Sequence, residues 1–387
     1  MDSKFYNDFL IRKKDRSLLR FSYDDEHGIY YEEINKRETK KNIVYKESFR
    51  YFYVTEDMNE NVNVICQDIC GDIILCIFIN GSWKYKTLFY IKYNFITPIN
   101  VKGFFLKRDF KVLYYLDSDS KNLFFNDNSN NYPIAIYSEN NCMNINFNIL
   151  KVNNKAFVII NTTSLGIYKL LLKEFSIKDN NFIRNKIIYI SKNQYIDYSY
   201  SINENQIHFL IIDNEHKKNS IIYTKSNIKN EKNSHEDIIL FEGESTISSC
   251  LIIQIKEVLW ALWISENKLY GCYSLNSGED FAEPLIYMDL TEKFIKKIDL
   301  IEGNKNKEIY VIEKNRHLNL FLEELLEDKN NINIDYKEIS YSPIIKNSEL
   351  NTTNDEIKKL KEIVNKQRSQ ILNLEYKLYS EKWPLIK

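Results

Sequence analysis

A short apolar run, a polar turn and a second run bearing Ile, Leu or Tyr return along this chain roughly every 43 to 51 residues. The apolar runs fall at 18–23, 62–66, 111–116, 156–160, 207–212, 258–264 and 308–312, for example Lys111-Val112-Leu113-Tyr114-Tyr115-Leu116. Turns such as Asp24-Asp25, Gln67-Asp68, Asp213-Asn214 and Ser265-Glu266-Asn267 follow them. Runs of this length suit strands, and continuous apolar strands suit sheets covered on both faces. A four-stranded unit at this spacing is the period of a propeller blade. The expected fold class is therefore all-β, a β-propeller of about seven four-stranded blades over residues 1–342. A β-solenoid would repeat faster and need stacked small residues. A pair of β-sandwiches would need a Pro/Gly/Ser-rich boundary, and none interrupts the middle of the chain.

Composition supports strands. Tyr (28) and Phe (22) are abundant in a chain that is 44% hydrophobic, while Ala is scarce, which speaks against a helical majority. With nine Gly, most tight turns must rely on Asn and Asp. The polar stretch 225–233 is expected to be an exposed loop between the third and fourth strands of its blade. Lys+Arg (53) and Asp+Glu (54) nearly cancel, so nucleic acid is not expected as a partner. No signal peptide and no apolar window of membrane-spanning length is visible, which predicts a cytoplasmic protein without membrane insertion. Of Cys66, Cys70, Cys76, Cys142, Cys250 and Cys272, most sit inside apolar runs and read as core thiols. The spacing of the first three lacks the paired pattern of a metal site.

After Pro343 the apolar period changes from two to 3.5. Residues 343–352 read as a linker, and Thr353 with Glu356 has capping-box spacing ahead of a helix over 353–382. Its seam is Ile357, Leu360, Val364, Gln367, Ile371, Leu374 and Leu378. β-Branched residues at the first heptad position and Leu at most of the fourth favour a two-stranded coil. Ile363 and Leu372 widen the seam toward a trimer. These residues are the expected oligomerisation site, with docking of the helix on its own propeller as the alternative.

The segment Ser274-Leu275-Asn276-Ser277-Gly278-Glu279-Asp280-Phe281 resembles the Asp-box of sialidase-like propellers, with Asn276 at the usual Asp position. In that family the box is a structural turn between the third and fourth strands of a blade, away from the active site. The resemblance implies a propeller and implies no catalysis. Sialidases use an arginine triad, and none of the nine arginines here lies in their starting motif.

No catalytic motif of hydrolases, phosphate loops, dinucleotide sites or zinc proteases occurs. His27, His208, His216, His235 and His317 are dispersed. His27 reads as a solvated turn residue, and His208 as a core residue or one facing the channel. Paired acids such as Asp24-Asp25 serve glycoside hydrolysis only when they face each other across a substrate. Aromatic strands such as Tyr195-Ile196-Asp197-Tyr198-Ser199-Tyr200 suit packing between blades, or a propeller mouth that holds a sugar or peptide. The expected function is a non-enzymatic binding or scaffold protein, without cofactor or metal. Its propeller heads would present a protein- or glycan-binding face and be multimerised by the C-terminal helix. The alternatives are a carbohydrate-active propeller enzyme and a structural surface or coat component.

Overall fold

The computed structural model describes residues 8–320 except 35–39, 92–97, 107, 117–120, 128–132, 140–141, 153–154, 193, 204, 216–217, 229–236, 292, 304 and 315–316. All of these belong to one compact unit, Met1–Tyr341. The expected helix, with every residue of its seam, lies outside the described residues.

The first block supplies β1 (Phe9–Arg12), β2 (Leu18–Asp24), β3 (Gly28–Ile34) and β4 (Asn42–Tyr45). The second supplies β5 (Ser48–Glu56), β6 (Val62–Asp68), β7 (Asp72–Ile79) and β8 (Ser82–Tyr90). The third comprises β9 (Asn100–Leu106), β10 (Asp109–Leu116), β11 (Lys121–Asn126) and β12 (Ile134–Glu139). The fourth comprises β13 (Cys142–Val152), β14 (Lys155–Ser164), β15 (Ile167–Ser176) and β16 (Asn181–Ser191). The fifth has β17 (Gln194–Asn203), β18 (Gln206–Glu215), β19 (Lys218–Asn227) and β20 (Ile238–Gly243). The sixth has β21 (Ile247–Ile255), β22 (Val258–Ser265), β23 (Lys268–Ser274) and β24 (Leu285–Asp289). The last contributes β25 (Phe294–Glu302), β26 (Lys305–Lys314) and β27 (His317–Leu320).

Blocks two to six each form an antiparallel four-stranded sheet, which makes the protein an all-β propeller. The expectation of seven blades is corrected to six. The seventh block has no sheet of its own: β25 pairs in parallel with β1, joining first and last blocks in one sheet, β27-β26-β25-β1-β2-β3-β4. Three ion pairs bracket this seam: Asp8 takes both Arg20 (2.8 Å) and Lys296 (2.7 Å), and Arg12 lies 3.6 Å from Glu302. Against the opposing push of burial, Arg20 and Lys296 hold the Asp8 carboxyl below its usual range. A strand repeat shows the blocks but not whether two of them share hydrogen bonds, so the sequence counts seven.

The second strand of each four-stranded sheet is the apolar one, and β6 is buried along its whole length. Core clusters form between neighbouring sheets, as where Phe9 of β1 meets Phe52 and Tyr53 of β5 at 5.4 Å. Asp serves the turns mainly by accepting backbone amides: Asp57 from Asn59 and Asn61, Asp68 from Cys70 and Asp72. Asn80, Asn180 and Asn267 take positive φ as expected, but so do Arg16, Glu60 and Lys256. Cys66, Cys76, Cys250 and Cys272 are buried free thiols and Cys70 is exposed. The exposed-loop reading of 225–233 is wrong at its start. Lys225 and Ser226 are buried on β19, where cross-strand pairing with β18 continues through Asn227.

Candidate functional site: the axial cluster and the end groove

The first strands of adjacent sheets lie side by side around the propeller axis, and the last hairpin stands among them. β26 runs beside β13, β17 and β21, and its side chains at alternate positions reach different sheets. Asn306 donates to the Tyr53 hydroxyl on β5 (2.7 Å). Glu308 accepts from the Ser199 hydroxyl on β17 (2.5 Å), and the Tyr310 hydroxyl donates to Ser249 on β21 (3.1 Å). Residues 306, 308 and 310 share one face because side chains alternate along a strand. On the same face of β25, Lys297 donates to Asp197 (2.7 Å) and to the carbonyls of Tyr198 (3.0 Å) and Cys250 (3.3 Å). The hairpin therefore occupies the axis.

Charge concentrates there. Asp299 and Glu308 are direct cross-strand partners, so two carboxylates stand side by side. Burial pushes Glu308 up to about 7; Lys297 and the Ser199 hydroxyl oppose this, while Asp299 adds to it. Burial also raises Asp299, opposed by Lys102 and Lys297. Lys297 stays well above its ordinary value, because Asp197 and Glu308 outweigh its desolvation. Across the axis Lys102 on β9 is buried and lowered by desolvation. It donates to Asn148 (2.5 Å), which donates to the Tyr198 hydroxyl (3.0 Å). Hydrogen bonds tie the hairpin to three sheets, and the Lys102–Asn148–Tyr198 chain links two more to one of them. The acids Asp197 and Glu308 are held by the protein's own donors. Among the described residues no group of three His, Cys, Asp or Glu side chains is arranged to hold a metal.

A second feature opens to solvent. A groove of about 850 Å³ lies where the β1–β2, β5–β6, β7–β8 and β25–β26 turns meet. Leu18, Val62 and Phe78 supply its apolar part, and Arg12, Lys13, Lys14, Asp15, Arg16, Glu56, Glu60 and Glu302 its charges. Its turns are braced. Lys13 and Ser17 close the first through backbone bonds, and Asp15 accepts from the Ser17 amide (3.0 Å) and hydroxyl (2.6 Å). Asp57 accepts from the Asn59 and Asn61 amides and the Asn61 side chain in the second.

The residues singled out in the sequence are scattered by the fold. His208 is fully buried and shares a hydrogen bond with the Tyr223 hydroxyl (2.8 Å); burial and then Lys225 lower it to about 4. His27 is half-buried against Asp24 (2.9 Å) rather than freely solvated. The Ser274–Phe281 segment is a tight turn between β23 and β24. Ser274 Oγ accepts from the Gly278 amide (2.8 Å), Asn276 Oδ1 accepts from the Asp280 amide (3.0 Å), and Phe281 packs on Tyr223 (4.8 Å). Sequence reading missed Lys102, Lys297, Asp299 and Glu308. A signal existed: Asp197, Ser199 and Ser201 alternate with tyrosines, and Lys297 and Asp299 stand two apart on an otherwise apolar stretch. No helix among the described residues is long and apolar enough to cross a membrane.

No family model matches the chain, and no curated protein does. Several solved structures are similar to it. A post-proline cleaving enzyme from Rickettsia typhi is 10% identical, with 82% of this chain and 53% of that one covered and a TM-score of 0.52. This chain thus spans about half the length of that enzyme. The Aleuria aurantia lectin, described as a six-bladed β-propeller that recognises fucose, is 8% identical over 74% of this chain and 96% of its own, with a TM-score of 0.39. An ulvan lyase of a polysaccharide lyase family is 8% identical, with 74% and 79% covered and a TM-score of 0.45. At these identities the similarity concerns the fold, and the chain is a β-propeller without an assigned family.

Proposed function

We propose that this protein is a non-enzymatic binding or scaffold protein whose propeller head holds a protein or glycan ligand in the end groove. The observation that carries this reading is the contrast between the two polar sites. The axial carboxylates are engaged by a hairpin of the same chain, whereas the groove is open and braced. Its volume falls within the roughly 300–1,000 Å³ of small-molecule pockets. The C-terminal segment, with Ile357, Leu360, Val364, Gln367, Ile371, Leu374 and Leu378 as its seam, would join heads into dimers or trimers and raise avidity. We also read the Ser274–Phe281 turn as an Asp-box; its serine and asparagine bonds support that kinship. The similar structures include sugar-binding and bond-cleaving proteins, so fold likeness does not choose between the readings.

One observation favours the carbohydrate-active alternative: Glu308 is a buried acid raised to about 7 beside a second carboxylate. A glycan and peptide binding screen on the full chain, run beside hydrolase and lyase assays, separates the two. Saturable binding that is lost on substitution at the groove, with no turnover, is expected. Turnover abolished by Glu308→Gln would establish the enzyme instead.

A further inference from the structure

We infer that the end groove takes an acidic oligosaccharide, one carrying carboxylates on a sugar chain; this rests on the groove being the ligand site proposed above. Four cations and four acids line the groove, but the acids are committed. Glu60 takes Lys14 (2.8 Å), Glu302 takes Arg12 (3.6 Å) and Lys307 (3.4 Å), Asp15 holds Ser17, and Glu56 is buried. Lys13 and Arg16 are exposed; among the described residues neither is in direct ion-pair contact, and Lys13 acts on the Asp15 carboxylate of its own turn. Two cations on one braced turn therefore face the groove with Asp15 as their near counter-charge, an excess of one positive charge on that turn. Arg16 sits at φ 66° in that turn, so its backbone is fixed before any ligand arrives.

The rest of the lining sets the ligand class. Phe78 is half-buried, and part of its ring surface remains open to the groove. Asn61 and Asn80 add amides, and Glu60 and Glu302 add acceptors suited to hydroxyl groups. An apolar face with hydroxyl-matching amides and carboxylates fits sugar rings, and the two exposed cations fit their carboxylates. A strand-forming acidic peptide fits less well, because the groove is built mainly from turns.

Calorimetry on the full chain tests this with tetragalacturonate, its methyl ester and hexaglutamate as probes. The paired variant Lys13→Gln/Arg16→Asn removes both cations, and Asn tolerates the left-handed backbone at position 16. The acid is expected to bind, with the ester and the variant each weaker by about tenfold or more. Binding of the acid should also fall on going from low to high salt, as exposed charges are screened. An unchanged thermal midpoint shows that the variant is folded. Equal binding of acid and ester, tighter binding of hexaglutamate, or no binding of the acid overturns the inference. In those cases the groove stays the ligand site if any other ligand from the screen loses affinity in the variant or in Phe78→Ser. If neither substitution alters the binding of any ligand, the groove reading falls as well.

Discussion

Gly278 shows how much a single position can carry. Its φ is +80°, and a Cβ there would meet the Tyr223 hydroxyl at 1.8 Å. The same hydroxyl bonds His208, so the Ser274–Phe281 turn of one sheet is keyed to the buried centre of its neighbour. Gly278→Ala should combine backbone strain with overpacking and lower stability by about 2–4 kcal/mol in urea denaturation. Glu308 makes a pH-dependent counterpart. Its folded pKa of about 7 lies above its ordinary 4.5, so between those values the folded state binds more protons. Its contribution to stability is present at low pH and is lost as pH rises through that window. His208, lowered to about 4 from 6.5, acts in the opposite sense: its contribution is lost as pH falls from 6.5 to 4. The two offset each other in the unaltered protein. Glu308→Gln keeps an acceptor for Ser199 and leaves the His208 slope unopposed. Relative to the unaltered chain, the variant should gain roughly 2–3 kcal/mol between pH 4.5 and 7, read from denaturation midpoints.

At the scale of elements, the β25–β26 hairpin binds the propeller together. Lys297 bridges β17 and β21, and Lys297→Met would leave Asp197 and two carbonyls without their donor. A loss of about 2 kcal/mol is expected, tempered because Asp197 keeps some contact with water. A second substitution, Asp197→Leu, should recover part of it in a double-mutant cycle. The strands were the legible part of this fold. Runs such as 207–212 and 258–264 became β18 and β22, because burial on both faces leaves an uninterrupted apolar record. The pairing of β1 with β25 was not legible, since Leu10 and Leu300 meet across most of the chain and neither run differs from its neighbours. The groove was equally hidden: Lys13, Arg16, Glu60 and Glu302 are ordinary turn and strand-end residues until four turns converge. Lys225 was misread because a lysine in a polar stretch looks solvated, and its burial depends on Glu279, 2.5 Å away on another sheet.

The described residues form a ring of sheets closed by the first and last blocks, with the β25–β26 hairpin on the axis. Such closure couples the two ends of the domain, so the pair Asp8–Lys296 and the β1–β25 ladder should open together when the protein unfolds. Light scattering bears on the proposed assembly: the full chain should be a dimer or trimer, and a chain ending at Ser342 a monomer. Equal masses for both would remove the multivalent reading. The last hairpin fills the axis, while the end groove among the described residues is open. Hydrogen–deuterium exchange of the full chain tests this placement of the hairpin most directly. Amides of residues 296–302 and 306–312 should be among the slowest to exchange, together with those of β6 and β18, and open only on global unfolding. Exchange of these residues at the rate of outer strands such as β20 and β24 would show that the hairpin leaves the axis, and would contradict the account.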